Sequence, residues 1–254
     1  MQPNMLLLFS GDVAVQNTTT EHNMKNYQFL LFDADNTLFN FDASERLTFF
    51  EFAGLYGITA NEQTYSLYKK FNLETWAAIE KNLAPKDELL VLRYKKLFDA
   101  LDISGDAEKA NIDFLKILST KGILYPETLP LLTRLRAAGK KIYLITNGVA
   151  EVQDGRIAAT DTTKYFDGIF ISETVGASKP AKEFFDAVKN GIQDFHPENA
   201  IVIGDSLTSD MQGANNAKID CLWFNPQNKP APDHLIINYT AKSLDEIGRI
   251  LLPD

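Results

Sequence analysis

Tyr27-Gln-Phe-Leu-Leu-Phe-Asp33-Ala-Asp35-Asn-Thr-Leu38 is a nearly unbroken apolar run that stops at two carboxylates. Continuous apolarity of this length suits a central parallel strand, buried on both faces. Four later runs share the format. Lys141–Ile145 ends in Thr146-Asn147-Gly148, Gly168–Ile171 in Ser172-Glu173, Ala200–Ile203 in Gly204-Asp205, and Ile219–Phe224 in Asn225-Pro226. Helical stretches lie among them. Thr128–Ala138 places Leu129, Leu132 and Leu135 at helical spacing and stops at Gly139, and Ala181–Asn190 follows Pro180. Leu207–Asn216 joins the fourth strand to the fifth, and a short strand at Leu235–Asn238 and a helix at Leu244–Leu252 close the chain. Strands alternating with helices of this length read as βαβ units, hence an α/β fold with a doubly wound parallel sheet.

The stretch after Asp35 breaks the rhythm. Far more residues separate it from the second strand than one crossover helix needs, and their pattern is helical throughout, over Leu47–Tyr56, Tyr65–Ile79, Leu89–Leu101 and Ile112–Leu118. An inserted helical cap over residues 42–118 is expected, on a core formed by 27–41 and 119–254. Residues 1–26 read as an N-terminal extension. Met5–Phe9 is too short for a signal-peptide core and has no Lys or Arg before it, and Met24 is a plausible natural start.

Composition narrows the function. Of 254 residues, 45% are hydrophobic and 23% charged, ordinary values for a folded domain. No run approaches membrane-spanning length. A net charge of −9 argues against a nucleic-acid polymer as partner, because a phosphate backbone calls for a basic surface. Small anions stay possible if a cation is supplied locally. A single cysteine, Cys221, excludes an internal disulfide and fits a reducing, cytoplasmic setting, and His22, His196 and His234 show no zinc-binding spacing. The oligomeric state is open, with a monomer possible.

Ligands of open parallel sheets bind beyond the carboxyl ends of the strands. This sequence delivers there Asp33 and Asp35 from strand one, Thr146 and Asn147 from strand two, Lys179 after strand three, and Asp205 and Asp210 from strand four. Gathered carboxylates repel one another and require a cation or protons. Oxygen donors without His or Cys favour a hard divalent ion, and Mg²⁺ fits best. The spacing of Asp33-x-Asp35-x-Thr37 suggests roles. Asp33 is the expected nucleophile towards phosphorus and Asp35 the general acid and then base, while Thr37 bonds the turn backbone. Thr146 and Asn147 can donate to phosphoryl oxygens, and Lys179 adds fixed positive charge. Singly these residues have plainer readings: Asp205-Ser206 as a helix N-cap, Lys179 as a solvated side chain, Trp76 as cap core. Their joint occurrence at successive strand ends carries the argument.

The chain resembles the haloacid dehalogenase superfamily of phosphohydrolases in Asp33–Leu38, Thr146–Gly148, Ser178–Pro180 and Gly204–Asp210. The resemblance implies a Rossmann-like core, Mg²⁺ dependence and an aspartyl-phosphate intermediate. In it, Asp33 is nucleophile and ligand, Asp35 acid/base and a ligand through its main-chain carbonyl, Asp205 a ligand, and Asp210 holds metal-bound water. Dehalogenase members lack the second aspartate, so Asp35 favours phosphate chemistry. Within the superfamily the chain is similar to pyrimidine 5′-nucleotidases over Phe32–Asp42, Thr146–Ile157, Tyr165–Pro180 and Ile203–Ala217, where Gln153 and Arg156 fit, and in the cap at Trp76 and Arg93. Asp161–Lys164 departs from that pattern. Phe39 and Phe41 are placed either to stack on a base or to pin the cap hinge. The expected substrate is a small phosphomonoester, a nucleoside monophosphate such as UMP, dUMP or dTMP. The alternatives are a sugar phosphate or phosphoglycolate phosphatase and a phosphomutase. A non-catalytic receiver-type switch is more remote, since it would carry its acceptor on a later strand, be shorter and have no cap.

Overall fold

The computed structural model describes residues 25–252. The stretches around Met5–Phe9 and Met24 lie outside them. At the end of the expected extension, Lys25 pairs with Asp220 at 2.8 Å and Asn26 accepts a hydrogen bond from Lys140.

Six strands form one parallel sheet: β1 (Phe29–Phe32), β2 (Lys141–Thr146), β3 (Gly168–Ile171), β4 (Ala200–Gly204), β5 (Asp220–Phe224) and β6 (Tyr239–Ala241). Their order is β3-β2-β1-β4-β5-β6. The reason β1 is apolar without interruption is visible in its two faces. Leu30 and Phe32 pack with Ile142, Leu144, Ile201 and Ile203, whereas Phe29 and Leu31 pack with Tyr143, Ile145 and Val202. Each fully buried side chain of this size contributes about 1.5–3 kcal/mol relative to exposure.

The helices are α1 (Phe41–Leu55), α2 (Glu62–Glu80), α3 (Lys86–Ala100), α4 (Ala107–Ser119), α5 (Thr128–Ala137), α6 (Ala150–Ala159), α7 (Ser172–Val175), α8 (Lys182–Gly191), α9 (Gln212–Ala217) and α10 (Leu244–Leu251). Helices α5 and α10 cover one face of the sheet and α8 and α9 the other. The protein therefore has a Rossmann-like core with inserted helical cap elements. Helices α1–α4 enclose Phe49, Phe52, Tyr68, Tyr94 and Phe114 in a cluster of their own. Two paired connectors tie them to the core, through Asn40 N–H to Ile123 O at 2.8 Å and Tyr125 N–H to Leu38 O at 3.1 Å. Helix α6 touches both bodies, with Val152 in the cap cluster and Ile157 in the core.

Three local expectations are corrected, and one helix is added. The last strand is Tyr239–Ala241, not Leu235–Asn238. The Asn215 side chain binds both the N–H and the C=O of Ile236, and the Asn238 side chain takes the N–H of Cys221, so that stretch is held by side chains instead of a ladder. The segment Leu207–Asn216 is a π-helical turn, Leu207–Met211, followed by α9. Leu129 is exposed, and Leu131 takes its place in the core beside Leu132 and Leu135. Helix α6 carried no assignment, because its buried face includes Gln153 and Arg156. Among the described residues no helix is long and apolar enough to cross a membrane.

The topology fixes where a site can form. The chain winds outward from β1 to β3 and then returns to place β4 on the other side of β1. The strand order reverses between β1 and β4, which opens a crevice at their carboxyl ends.

Candidate active site

Asp33 follows β1 and Asp205 follows β4, at the two lips of that crevice. Asp210 reaches the same point from the π-helical turn, whose start Ser206 caps by accepting from Ser209 N–H. The wide turn brings the Asp210 carboxylate back over its own strand end, where Oδ2 accepts from Ser206 N–H at 3.1 Å. One ligand atom each from Asp33, Asp205 and Asp210 lies within 4.8 Å of the others. Ser206 thus takes the N-cap role read for Asp205-Ser206, while the Asp205 carboxylate stands beside Asp33 and Asp210.

Lys179 closes the group from the loop before α8. Its ammonium is buried and donates to Asp33 Oδ1 at 2.6 Å, Asp210 Oδ1 at 2.6 Å and the Ile145 carbonyl at 2.9 Å. Burial alone would lower the lysine pKa, but Asp210 and Asp33 outweigh it and hold the group protonated above its ordinary value. Thr37 donates to Asp33 Oδ2 at 3.3 Å. It thus steadies the carboxylate, not the turn backbone as expected.

The charges do not balance. Three carboxylates face one ammonium, and two unit charges at this separation repel by roughly 3 kcal/mol at an effective dielectric near 20. Burial, offset in part by Lys179 and reinforced by Asp210 and Asp35, pushes the Asp33 carboxyl up to about 7. Burial with repulsion from Asp33 and Asp210 pushes Asp205 to about 8. A divalent cation cancels the two surplus negative charges, and an all-oxygen donor set matches a hard ion such as Mg²⁺. The residues fit the metal.

Asp35 points elsewhere. Its Oδ1 pairs with the fully buried Arg156, and its Oδ2 accepts from Gln153 Nε2 at 2.7 Å. Its carboxylate is not among the three clustered ones. Thr146 Oγ1 accepts from Gly148 N–H at 3.0 Å and Gln153 Nε2 at 3.2 Å. With both lone pairs engaged, the threonine hydroxyl is left as a donor. The Asn147 side chain brackets the Lys179 backbone, donating to its carbonyl at 2.8 Å and accepting from its N–H at 2.9 Å. A Cβ on Gly204 would stand 2.2 Å from Asp210 Oδ2, and one on Gly148 2.2 Å from Gln153 Nε2. Only bare backbone at these two strand ends admits those side chains.

Above the carboxylates a cavity of about 240 Å³ extends into the cap, lined on that side by Phe41, Tyr68, Trp76, Arg93 and Phe114. Trp76 is half-buried, packing on Ile79, Leu89 and Leu90 while lining the cavity. Phe39 is fully buried beneath Arg156, whose guanidinium lies 4.8 Å from its ring centroid, so it cannot stack on a ligand. It packs in the core cluster instead.

Sequence reasoning gave no role to several residues here. Gln153 and Arg156 fitted a pattern without a function, and the structure sets both against Asp35. Lys86 was not singled out. It donates from the cap to the carbonyls of Asn147 and Gly148 and pairs with Glu173 at 2.7 Å. Its position at the start of α3 reads as a solvated lysine, so no signal marked it.

Residues 27–218 match the haloacid dehalogenase-like hydrolases. The chain belongs to that family. Among its haloacid dehalogenase-like relatives, the HAD-hydrolase YfnB of Bacillus subtilis is 32% identical over 228 residues, 90% of this chain and 97% of that protein. The crystal structure of YfnB bound to magnesium matches with a TM-score of 0.85 at 31% identity, covering 89% of this chain and 99% of that one. The pyrimidine 5′-nucleotidase PynA of Streptococcus pneumoniae is 33% identical over 202 residues, 80% of this chain and 85% of that protein. The pyrimidine 5′-nucleotidase YjjG of Escherichia coli is 28% identical over 89% of this chain and 98% of that protein.

Proposed function

We propose that the protein is a Mg²⁺-dependent phosphatase of small phosphomonoesters, acting on pyrimidine nucleoside 5′-monophosphates. The observation that carries the reading is the pairing of two unlike carboxylates two residues apart: Asp33 held by Lys179 and Thr37 inside the acidic cluster, and Asp35 held by Arg156 and Gln153 outside it. Two separately positioned acids suit a nucleophile and a proton carrier. The nucleotide part rests on similarity to PynA and YjjG and on the cavity that runs from the acids into the cap. Residues 42–118 would then serve as the cap that sets the substrate.

In the proposed reaction an Asp33 oxygen attacks phosphorus and the P–O bond to the nucleoside breaks. Asp35 gives its proton to the departing alkoxide. Asp35 then takes a proton from water, the water oxygen attacks phosphorus, and inorganic phosphate leaves with Asp33 restored. Lys179 offsets the charge on Asp33 and the incoming phosphate, and the Thr146 hydroxyl is free to donate to a phosphoryl oxygen. The Asn147 side chain shapes the site by fixing the Lys179 backbone, which leaves its main-chain N–H for the substrate. Asp33, Asp205 and the main-chain carbonyl of Asp35, with Asp210 behind them, would hold Mg²⁺, which would supply positive charge against the phosphoryl oxygens.

The test is phosphate release across nucleoside monophosphates and sugar phosphates in Mg²⁺, for the wild type and Asp33→Asn. Pyrimidine monophosphates are expected to be turned over best, and Asp33→Asn to lose about a thousandfold or more in kcat. A preference for sugar phosphates would reject the nucleotidase reading, while transfer of the phosphoryl group without net release would point to a mutase. Retention by Asp33→Asn of more than roughly one per cent of activity would reject covalent catalysis.

A further inference from the structure

Inside the cap, each of the four helices contributes one residue to a buried polar chain. Glu45 of α1 accepts from Asn72 of α2 at 2.5 Å, Asn72 accepts from Arg93 of α3 at 2.5 Å, and Arg93 also donates to Asn111 of α4 at 3.0 Å. Tyr65 adds a hydrogen bond to Glu45 at 3.4 Å. The Arg93 guanidinium lies 4.8 Å from the Tyr94 ring centroid and 5.6 Å from that of Phe114, so its plane is fixed as well as its end.

Such a network in a small helical bundle is costly unless every member is satisfied. This one is incomplete on one side. Among the described residues Arg93 Nε has no hydrogen-bond partner, and the neighbouring hydroxyls of Tyr68 and Tyr94 have none beyond each other. Arg93 is 3% exposed and Tyr68 1%, so water does not compensate them from the surface. Both residues line the cavity that begins at Asp33 and Asp35. Its other cap-side walls include Trp76, Leu90, Phe114 and Leu115 and, apart from Glu80, are flat or apolar surfaces suited to a planar ring.

We propose that Arg93 and Tyr68 are specificity-determining residues, donating hydrogen bonds to a carbonyl oxygen on the leaving group at the end of the cavity away from phosphorus. The assignment rests on the nucleotidase reading, in which that oxygen belongs to the base. An oxygen there completes the bonds that the cap leaves open. A substrate without it leaves buried donors unpaired, and a site built this way discriminates strongly. Asn72 and Asn111, which accept from Arg93, and Glu45, which holds Asn72, act as positioning residues, since none of the three lines the cavity.

The experiment compares kcat/KM for UMP with that for p-nitrophenyl phosphate and ribose 5-phosphate, using the full chain with Mg²⁺. The variants are Tyr68→Phe, which removes one oxygen, and Arg93→Lys, which keeps the charge but loses the planar fork. The UMP to p-nitrophenyl phosphate ratio is expected to fall about tenfold in Tyr68→Phe and further in Arg93→Lys, mostly through KM for UMP. A loss of equal size on all three substrates, or an unchanged ratio, would overturn the assignment. Tyr68→Phe is small enough to keep the test alive if Arg93→Lys does not fold. A wild type that prefers ribose 5-phosphate to UMP would instead overturn the nucleotidase reading, and this assignment with it. A wild type that prefers UMP, with variants that keep the preference, rejects only the roles of Arg93 and Tyr68.

Discussion

The strand ends and the cap interior both bury charge, and they settle it in opposite ways. At the strand ends Asp33, Asp205 and Asp210 share a single ammonium, so the cluster is left two charges short. In the cap, Glu45 and Arg93 oppose each other through Asn72, and what is left over is hydrogen-bonding capacity. An unbalanced charge calls for an ion. Unpaired donors call for a ligand oxygen. One crevice therefore presents two kinds of demand, matching the two ends of a phosphomonoester with a polar leaving group.

The largest break in this contrast comes from removing the Lys179 ammonium from the acidic group. Lys179→Met leaves Asp33 and Asp210 facing each other in a buried place. It should cost about 3–5 kcal/mol in urea denaturation without metal. Added Mg²⁺ or a lower pH should recover part of the loss, and a variant as stable as the wild type would contradict the arrangement.

Next in size is a pH effect from the cap. Burial, opposed by Lys69 and Arg93, pushes the Glu45 carboxyl from 4.5 to about 7. Between those values the folded protein holds a proton that the unfolded chain has released. Stability therefore falls as pH rises from about 4.5 through 7, by about 3 kcal/mol in total. Glu45→Gln should remove that part of the loss. Parallel unfolding curves for the two proteins from pH 5 to 8 would contradict it.

The smallest effect sharpens the metal side. Protons compete with the cation at Asp33 and Asp205, whose carboxyls titrate near 7 and 8 without it. Mg²⁺ affinity should thus weaken as pH drops from 8 to 6, and Asp205→Asn should raise the half-saturating Mg²⁺ concentration about tenfold or more. A metal titration independent of pH, or unchanged in the variant, would remove Asp205 from the site.

The core was legible because a parallel strand buried on both faces must be apolar at every position, as residues 29–32 are. The acids that end such strands stand out by contrast, so Asp33, Asp35 and Asp205 could be placed at one edge from sequence alone. Polar residues that serve the interior could not. Arg156 and Gln153 are fully buried, yet polar residues at helical spacing carry no apolar periodicity, so hydrophobic pattern alone does not mark α6. Glu45, Asn72 and Asn111 were hidden for the same reason. At Leu235–Asn238 apolar residues suggested a strand, but Asn215 and Asn238 side chains capture the backbone groups a ladder would need.

The central claim is that Asp33 carries the phosphoryl group. Its most direct test is a single turnover with substrate and Mg²⁺, quenched in acid, reduced with borohydride and mapped by peptide mass. The account predicts reduction of the Asp33 side chain to an alcohol, dependent on substrate, and no such change at Asp35, Asp205 or Asp210. Released phosphate with Asp33 unmodified at every quench time, or the label on another aspartate, would contradict it.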